Sequence, residues 1–244
     1  MLRFLGRLLR WTLWAGLGFA ALSAVAVLAL RVINPPTSAF MIAAQCEAWF
    51  GNDPKPFHLR QDWRDISAIS PQVAMAVVAS EDQQFPLHSG FDVGQIRKAL
   101  ADAENGRRAR GASTITQQTA KNLFLWSGHS FLRKGLEAWF TVLMEALWPK
   151  QRILEVYLNI AEFGRGLYGV QAASRAYFHH DARTLSASEA ALLAAVLPNP
   201  IRLRADAPSR YVQGRQGEIM GQMQALGGAY WLKDVLPRPA KARR

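Results

Sequence analysis

The chain has 244 residues, half of them apolar, which is enough for one sizeable core and excludes a short peptide or a disordered chain. Lysine and arginine number 29 against 18 acids, for a net charge of +11, yet eight of the surplus charges lie at the ends: Arg3, Arg7, Arg10 and Arg31, then Arg238, Lys241, Arg243 and Arg244. A middle carrying only +3 argues against a nucleic-acid module, and the lone Cys46 forms neither an internal disulfide nor a cysteine-based zinc cage.

Residues 11–30 read WTLWAGLGFAALSAVAVLAL, twenty positions without a charge. At about 1.5 Å of rise per residue this run matches a hydrocarbon core of about 30 Å. Arg3, Arg7 and Arg10 precede it and only Arg31 follows closely, so the positive-inside bias predicts a cytoplasmic N-terminus and a chain that works outside. Trp11 and Trp14 suit an interfacial belt. Ala24-Val25-Ala26 could be the cleavage box of a secretory signal, but such apolar cores run to about 7–15 residues, and an uncleaved single-pass anchor is the expectation.

After Pro35-Pro36 the chain is predicted to be mostly α, with hardly any strand signal: alternating β-branched segments are missing while Ala, Leu, Gln and Glu are abundant. Pro71 sits at a first-turn position of a small-residue apolar helix that ends at Glu81-Asp82. Asp92 can cap a helix carrying Val93, Ile96 and Leu100, followed by a loop at Asn105-Gly106 and the basic RRAR of 107–110. Apolar residues from Phe131 to Leu147 recur at a helical period closed by Pro149, and Ile153, Leu154, Tyr157 and Leu158 give the next helix. Ser186 and Glu189 form a capping box before ALLAAVL, a helix apolar nearly all round and therefore central. No internal repeat is visible, and PRPAKARR at the end reads as disordered or membrane-touching.

Three stretches depart from ordinary patterning. EDQQFPLHSGFD at 81–92 places two carboxylates after an apolar helix; burial there would raise a carboxyl pKa and make a general base, while the plain alternative is a solvated Glu-Asp pair. His88 reads as a hydrogen-bonded turn residue. In RGASTITQQTAKNLFLW at 110–126, a helix starting at Ser113 or Thr114 would put Ser113, Gln117 and Lys121 on one stripe and Thr114, Gln118 and Asn122 on the next. Many uncharged donors with one cation suit a sugar phosphate, against the alternative of an exposed polar face. Arg133 and Glu137 lie at i, i+4 with Lys134 alongside, which could place a carboxylate beside two cations in a cleft but taken alone reads as a surface ion pair.

Taken together, the stretches resemble the glycosyltransferase domain that polymerises peptidoglycan, found in bifunctional penicillin-binding proteins and as a free-standing enzyme. The match runs through E-D-x-x-F-x-x-H-x-G (Glu81, Asp82, Phe85, His88, Gly90), G-A-S-T-x-T-Q-Q-x-x-K-N (111–122), R-K-x-x-E (Arg133, Lys134, Glu137) and K-x-x-I-L-E-x-Y-L-N (150–159), in order over about residues 60 to 200. With no S-x-x-K motif after Pro200, the chain resembles the monofunctional form.

The resemblance implies a mostly α, lysozyme-like fold with a small membrane-apposed lobe, for which FLWSGHSFL at 124–132 is a candidate. It divides the chain into a cytoplasmic N-terminus (1–10), an anchor (11–31), a connector (32–59), a periplasmic catalytic domain (60–236) and a basic tail (237–244), held at the inner membrane. It implies lipid II and the growing glycan strand as substrates and partners, together with the membrane and other cell-wall synthesis or division proteins, and no nucleic acid. Glu81 would be the base and Glu137 the second catalytic carboxylate, supporting the pyrophosphate or a divalent Mg or Mn ion. Lys121, Arg133 and Lys134 would neutralise the pyrophosphate, and Asp82, Phe85, His88, Ser113, Thr114, Gln117, Gln118 and Asn122 would line the substrate site. No protein-bound metal site is expected. A glycan-cleaving lysozyme or a non-catalytic scaffold are the readings from other classes.

Overall fold

The computed structural model describes residues 2–51, 56–106, 111, 113–128 and 130–237, and these are predominantly helical. Helix α1 (Leu2–Leu30) carries the apolar run, and among the described residues it is the one helix long and apolar enough to cross a membrane. Residues 32–59, expected as a connector, contain α2 (Ala39–Phe50), which Ser38 caps and whose Met41 reaches the core.

The core has two helix groups. In the first, α3 (Pro71–Glu81) starts with Pro71 after the Ser70 cap and buries every residue from Val73 to Ala79. Seven small or apolar residues in succession leave it no solvent face, so it must be surrounded. It lies against α9 (Ala187–Val196) and α10 (Arg210–Ala225). Helix α9 is apolar all round, as its sequence predicts, and the Ser186–Glu189 capping box starts it. In the second group, α5 (Ile115–Phe124) lies against α6 (Phe131–Leu147) and α7 (Lys150–Ile160), with α1 resting on α6 and α2 on α5. Asp92 caps α4 (Val93–Glu104) through Gln95 N, but this helix buries none of its residues and leaves Val93 and Leu100 exposed.

A small sheet was not legible in the sequence. Strands β1 (Arg60–Gln61), β2 (Glu162–Gly164) and β3 (Leu167–Tyr168) pair in the order β1-β3-β2, parallel then antiparallel, just before α8 (Val170–Tyr177). Strands of two or three residues show no alternation to detect. Asn159 holds the sheet in place: its Oδ1 accepts from Arg64 N at 2.8 Å, its Nδ2 donates to Arg64 O at 2.8 Å, and its carbonyl accepts from Gln61 Nε2 at 3.0 Å. Gly166 turns the hairpin at φ +71°, where a Cβ would lie 2.6 Å from His58 O.

Trp126, Phe131 and Leu132 are exposed, Phe131 fully, and Val142 continues this apolar surface along α6. The 124–132 segment, expected as an apolar loop, begins at the end of α5 and ends in the first turn of α6, and His129 within it lies outside the described residues. The expected basic loop at 107–110 and the tail at 238–244 lie outside them as well. Since the capping box on α9 satisfies two orphan amides at the start of a central helix, Ser186→Ala is expected to lower stability by about 1 kcal/mol. A denaturant titration should show a lower midpoint with an unchanged slope.

Candidate active site

Helix α3 delivers two adjacent carboxylates to the junction of the helix groups, Glu81 as its last residue and Asp82 as its cap. Asp82 is buried and turns inward. Its oxygens lie 2.8 and 3.0 Å from His88 Nε2, and Oδ2 also accepts from Ile115 N at 3.0 Å. Because His88 Nδ1 accepts from Gly90 N at 3.1 Å, its proton must sit on Nε2 and point at Asp82. The amide of Ile115 is an orphan donor in the first turn of α5, where the helix dipole favours a carboxylate. Gly90 completes the turn at φ +87°, with Thr141 Cγ2 2.7 Å from where a Cβ would lie, and its carbonyl accepts from Thr114 Oγ1 at 2.7 Å.

The start of α5 differs from the expected stripe. Thr114 is the cap and Gln117 closes the capping box: Thr114 N donates to Gln117 Oε1 at 3.0 Å, and Gln117 N donates to Thr114 Oγ1 at 3.2 Å. Ser113 therefore precedes the helix and stands exposed at the cleft, while Gln117 is buried and shares no stripe with it. A cap needs an extended backbone, and that shift of one residue breaks the i, i+4 relation.

Glu81 faces the cleft. Its Oε2 accepts from Gln118 Nε2 at 2.8 Å, and Gln118 Oε1 accepts from the buried Tyr157 hydroxyl at 3.1 Å. Burial pushes the Glu81 carboxyl up from its ordinary range, aided by Asp82, against the Gln118 bond and the charges of Arg215 and Lys121. Burial, then Glu81 and Asp82, push the Tyr157 phenol well above its ordinary value, so it stays a donor.

Lys121 follows Gln118 by three residues on α5 and has no acid partner among the described residues; its Nζ lies 5.5 Å from the centre of the Phe40 ring. Burial pushes its pKa down, Arg133 and Lys134 add to that, and Glu137 opposes it. On α6, Arg133 Nη1 donates to Glu137 Oε2 at 2.6 Å and Lys134 Nζ donates to Glu137 Oε1. Glu137 is only 2% exposed, and the buried Arg133 Nε has no acceptor. Glu137 thus pairs with two cations, and its charge also reaches the third, Lys121. Asn122 is half-buried on the next turn.

The cleft beside Glu81 has a volume of about 210 Å³ and is lined by Asp82, Gln84, Gln95, Ser113, Thr114 and Gln222 among others. Glu81, Gln118, Lys121, Arg133, Lys134 and Glu137 come together as expected. Phe85 is fully buried, and Asp82, both His88 ring nitrogens, Thr114 Oγ1 and Gln117 Oε1 bond within the protein, which ties these residues to shaping the cleft. Sequence reading missed Tyr157, whose helical spacing looked like core, and α10, which lies beyond the matched motifs. That helix supplies Gln222, with a buried amide oxygen lacking a partner, and Arg215, which donates to Ser80 O at 3.4 Å. Among the described residues no three His, Cys, Asp or Glu converge on a metal position, and both Glu137 oxygens are taken by cations, so this donor set does not fit a protein-held divalent ion.

A desolvated carboxylate near cations, in a helical domain beside an apolar helix of spanning length, suits an enzyme that moves a group from an anionic leaving group onto a hydroxyl. The comparisons with known proteins agree. The family described as Transglycosylase matches residues 41–224. A biosynthetic peptidoglycan transglycosylase of Xanthomonas campestris pv. campestris (strain B100) is 54% identical over 227 residues, covering 93% of this chain and 92% of that relative. Proteins of the same name from Pseudomonas entomophila (52% over 235 residues, 96% of each) and Cronobacter sakazakii (54% over 222 residues, 91% of this chain and 92% of the relative) are similarly close. The chain belongs to the transglycosylase family and is a peptidoglycan glycosyltransferase with the family's lysozyme-like helical fold.

Asp82 tests the framework. In Asp82→Asn the new amide N–H would meet the Ile115 or His88 donor, and His88 cannot change tautomer without losing Gly90 N. One buried donor is left unsatisfied, so stability should fall by about 1–3 kcal/mol, read by denaturant unfolding, with activity falling too.

Proposed function

We propose that Glu81 is the general base of glycan polymerisation and that Lys121, Arg133 and Lys134 neutralise the departing polyprenyl pyrophosphate. The substrates are lipid II and the growing glycan strand, as peptidoglycan transglycosylase activity implies. The 4-hydroxyl oxygen of the incoming lipid II forms a bond to the donor anomeric carbon as the bond from that carbon to pyrophosphate breaks. The hydroxyl proton passes to Glu81, and the anomeric centre inverts to a β-1,4 link. The observation that carries this reading is the Glu81 carboxylate, bonded by Gln118 and raised in pKa by burial, with Lys121 one turn further along the same helix as Gln118 and close enough to act on its charge.

Each cation suits its task. Arg133 and Lys134 share the single charge of Glu137, and Lys121 forms no ion pair among the described residues, so the three cations exceed their carboxylate and a pyrophosphate supplies further negative charge. Glu137 holds Arg133 and Lys134 in register, which makes it a positioning carboxylate. Ser113 and Gln222 offer polar atoms to the saccharide, and Asn122 does so beside Lys121. Any divalent cation then travels with the pyrophosphate. Hydrolysis of finished glycan would need a second available carboxylate, but Glu137 and Asp82 are both committed to protein partners.

Glu81→Gln should fold yet lose roughly 100-fold or more in lipid II polymerisation, the usual scale for losing a general base. Its stability should rise at neutral pH. A folded pKa above the unfolded one means that the ionised group weakens the fold, so the gain should vanish as pH falls below about 4.3, the ordinary glutamate value, where both states are protonated. The wild-type rate should fall on the acid side at a pH above that value and on the alkaline side below about 10.4, as Lys121 loses its charge early. A pH–rate profile in which Glu81→Gln keeps the acid limb would sink the assignment.

The catalytic domain is placed in the periplasm and the N-terminus in the cytoplasm, a reading supported by the three arginines before the apolar run. A reporter active only in the cytoplasm, fused after Arg244, should be silent. A working fusion would reverse the orientation.

A further inference from the structure

The Lys150–Asn159 motif contains a buried cation that the reaction does not use. Arg152, in the first turn of α7, is 8% exposed, and all five of its N–H donors meet acceptors. Nε and Nη2 donate to Leu30 O at 3.1 and 3.0 Å, Nη2 donates to Ile33 O at 2.8 Å, and Nη1 donates to Asn34 Oδ1 at 2.8 Å and to Glu155 Oε1. Four of these five contacts fall on the end of α1 and its exit. They satisfy carbonyls left open where the helix stops, and they put a cation at the negative end of its dipole. The Trp63 ring covers the guanidinium at 5.4 Å, and the other Glu155 oxygen accepts from Ile66 N at 2.8 Å.

The grip extends down the anchor. Trp148 Nε1 donates to Val27 O at 2.7 Å and Trp139 Nε1 donates to Ser23 Oγ at 3.0 Å, while the Phe19 ring lies 6.4 Å from both Trp139 and Phe140. Residues 19, 23, 27 and 30 recur every three or four positions, so one face of α1 is clasped for three turns. Tethering an enzyme to a bilayer needs only a flexible link, yet here the link is a rigid joint. Five residues after Arg152, about 7.5 Å along the same helix, Tyr157 holds the Gln118 that aims Glu81.

We propose that Arg152 is a positioning residue for polymerisation: by capping the anchor with its whole guanidinium, it sets the height and tilt of the cleft above the bilayer that carries the substrate's pyrophosphate. This rests on the reading of α1 as a membrane span and of Glu81 as base. An anchor free to swivel would present the cleft at the wrong depth, and that defect matters only when enzyme and substrate share one bilayer.

The test uses the full chain in two media. In phospholipid vesicles containing long-chain lipid II, Arg152→Ala should lose about tenfold or more in kcat/KM, whereas in detergent micelles with a short-prenyl lipid II analogue it should stay within about twofold of wild type. Arg152→Lys keeps the charge but not the planar fork, and should lie between. Asn34→Ala removes one exposed acceptor without threatening the fold, and should give a smaller, vesicle-selective loss that decides the matter if Arg152→Ala does not fold. Equal losses in both media, or wild-type rates in vesicles, would overturn the proposal. Failure of the base assignment would look different, since Glu81→Gln would then polymerise normally in both.

Discussion

The geometry of the candidate site hangs on a carboxylate whose oxygens are bonded within the protein. Asp82 is buried, and a buried charge persists only when donors surround it. It obtains them from His88 and from the first amide of α5, closing the 82–92 loop and pinning α5 to the end of α3 in the same step. Gln118 and Lys121 then inherit their positions, since both ride on α5 three residues apart. Glu145 adds a second brace behind the same turn: it accepts from Thr116 Oγ1 at 2.5 Å and from Lys150 Nζ at 2.8 Å, and its Cγ lies against Gly90.

Neighbouring carboxylates therefore do opposite work because of what surrounds them. Asp82 is saturated with hydrogen bonds, whereas Glu81 receives one from Gln118 and is otherwise dried by the fold. The same dryness acts on Lys121 with the opposite sign, lowering the pKa of a cation as it raises that of an acid. The cleft is thus a place where charged forms are disfavoured until an anionic substrate arrives. That arrangement costs stability and suits the proposed chemistry, since cations already held in place need no rearrangement when a pyrophosphate departs.

The helical architecture could be read from the sequence wherever a periodic run met a clear punctuation mark: Pro71, Asp92, Pro149 and the Ser186–Glu189 box all sit where the helices begin or end. The polar and charged residues of the candidate site stood out only as a set, because Glu81-Asp82 and Arg133-Lys134 taken singly read as well as solvated surface pairs. Their division of labour was not. Nothing in the linear pattern says that Thr114 will cap α5 and take Gln117 with it, or that Phe85 will turn into the core, because both outcomes depend on partners far away in sequence. Tyr157 was hidden by sitting at an apolar spacing, and its hydroxyl gains meaning only once α5 is packed against α7. The sheet escaped for a different reason, since its strands are fixed by Asn159 and the hairpin glycines and not by their own composition.

Helix α7 shows why such assignments need three dimensions. Arg152, Glu155 and Asn159 recur at three and four residues, so they share one face, and that face takes the anchor exit, Ile66 N and the backbone of Arg64. Tyr157 lies about 140° around the axis from Arg152, at 100° per residue, and so looks towards Gln118 and Glu81. A helix with functional partners on two sides must be enclosed, and every residue from Arg152 to Ile160 is buried except Glu155, which is only partly open. Its enclosure is what lets it act as a rigid strut. The arginine that clasps the end of the membrane helix and the tyrosine that holds Gln118 against Glu81 are separated by little more than one turn of this helix.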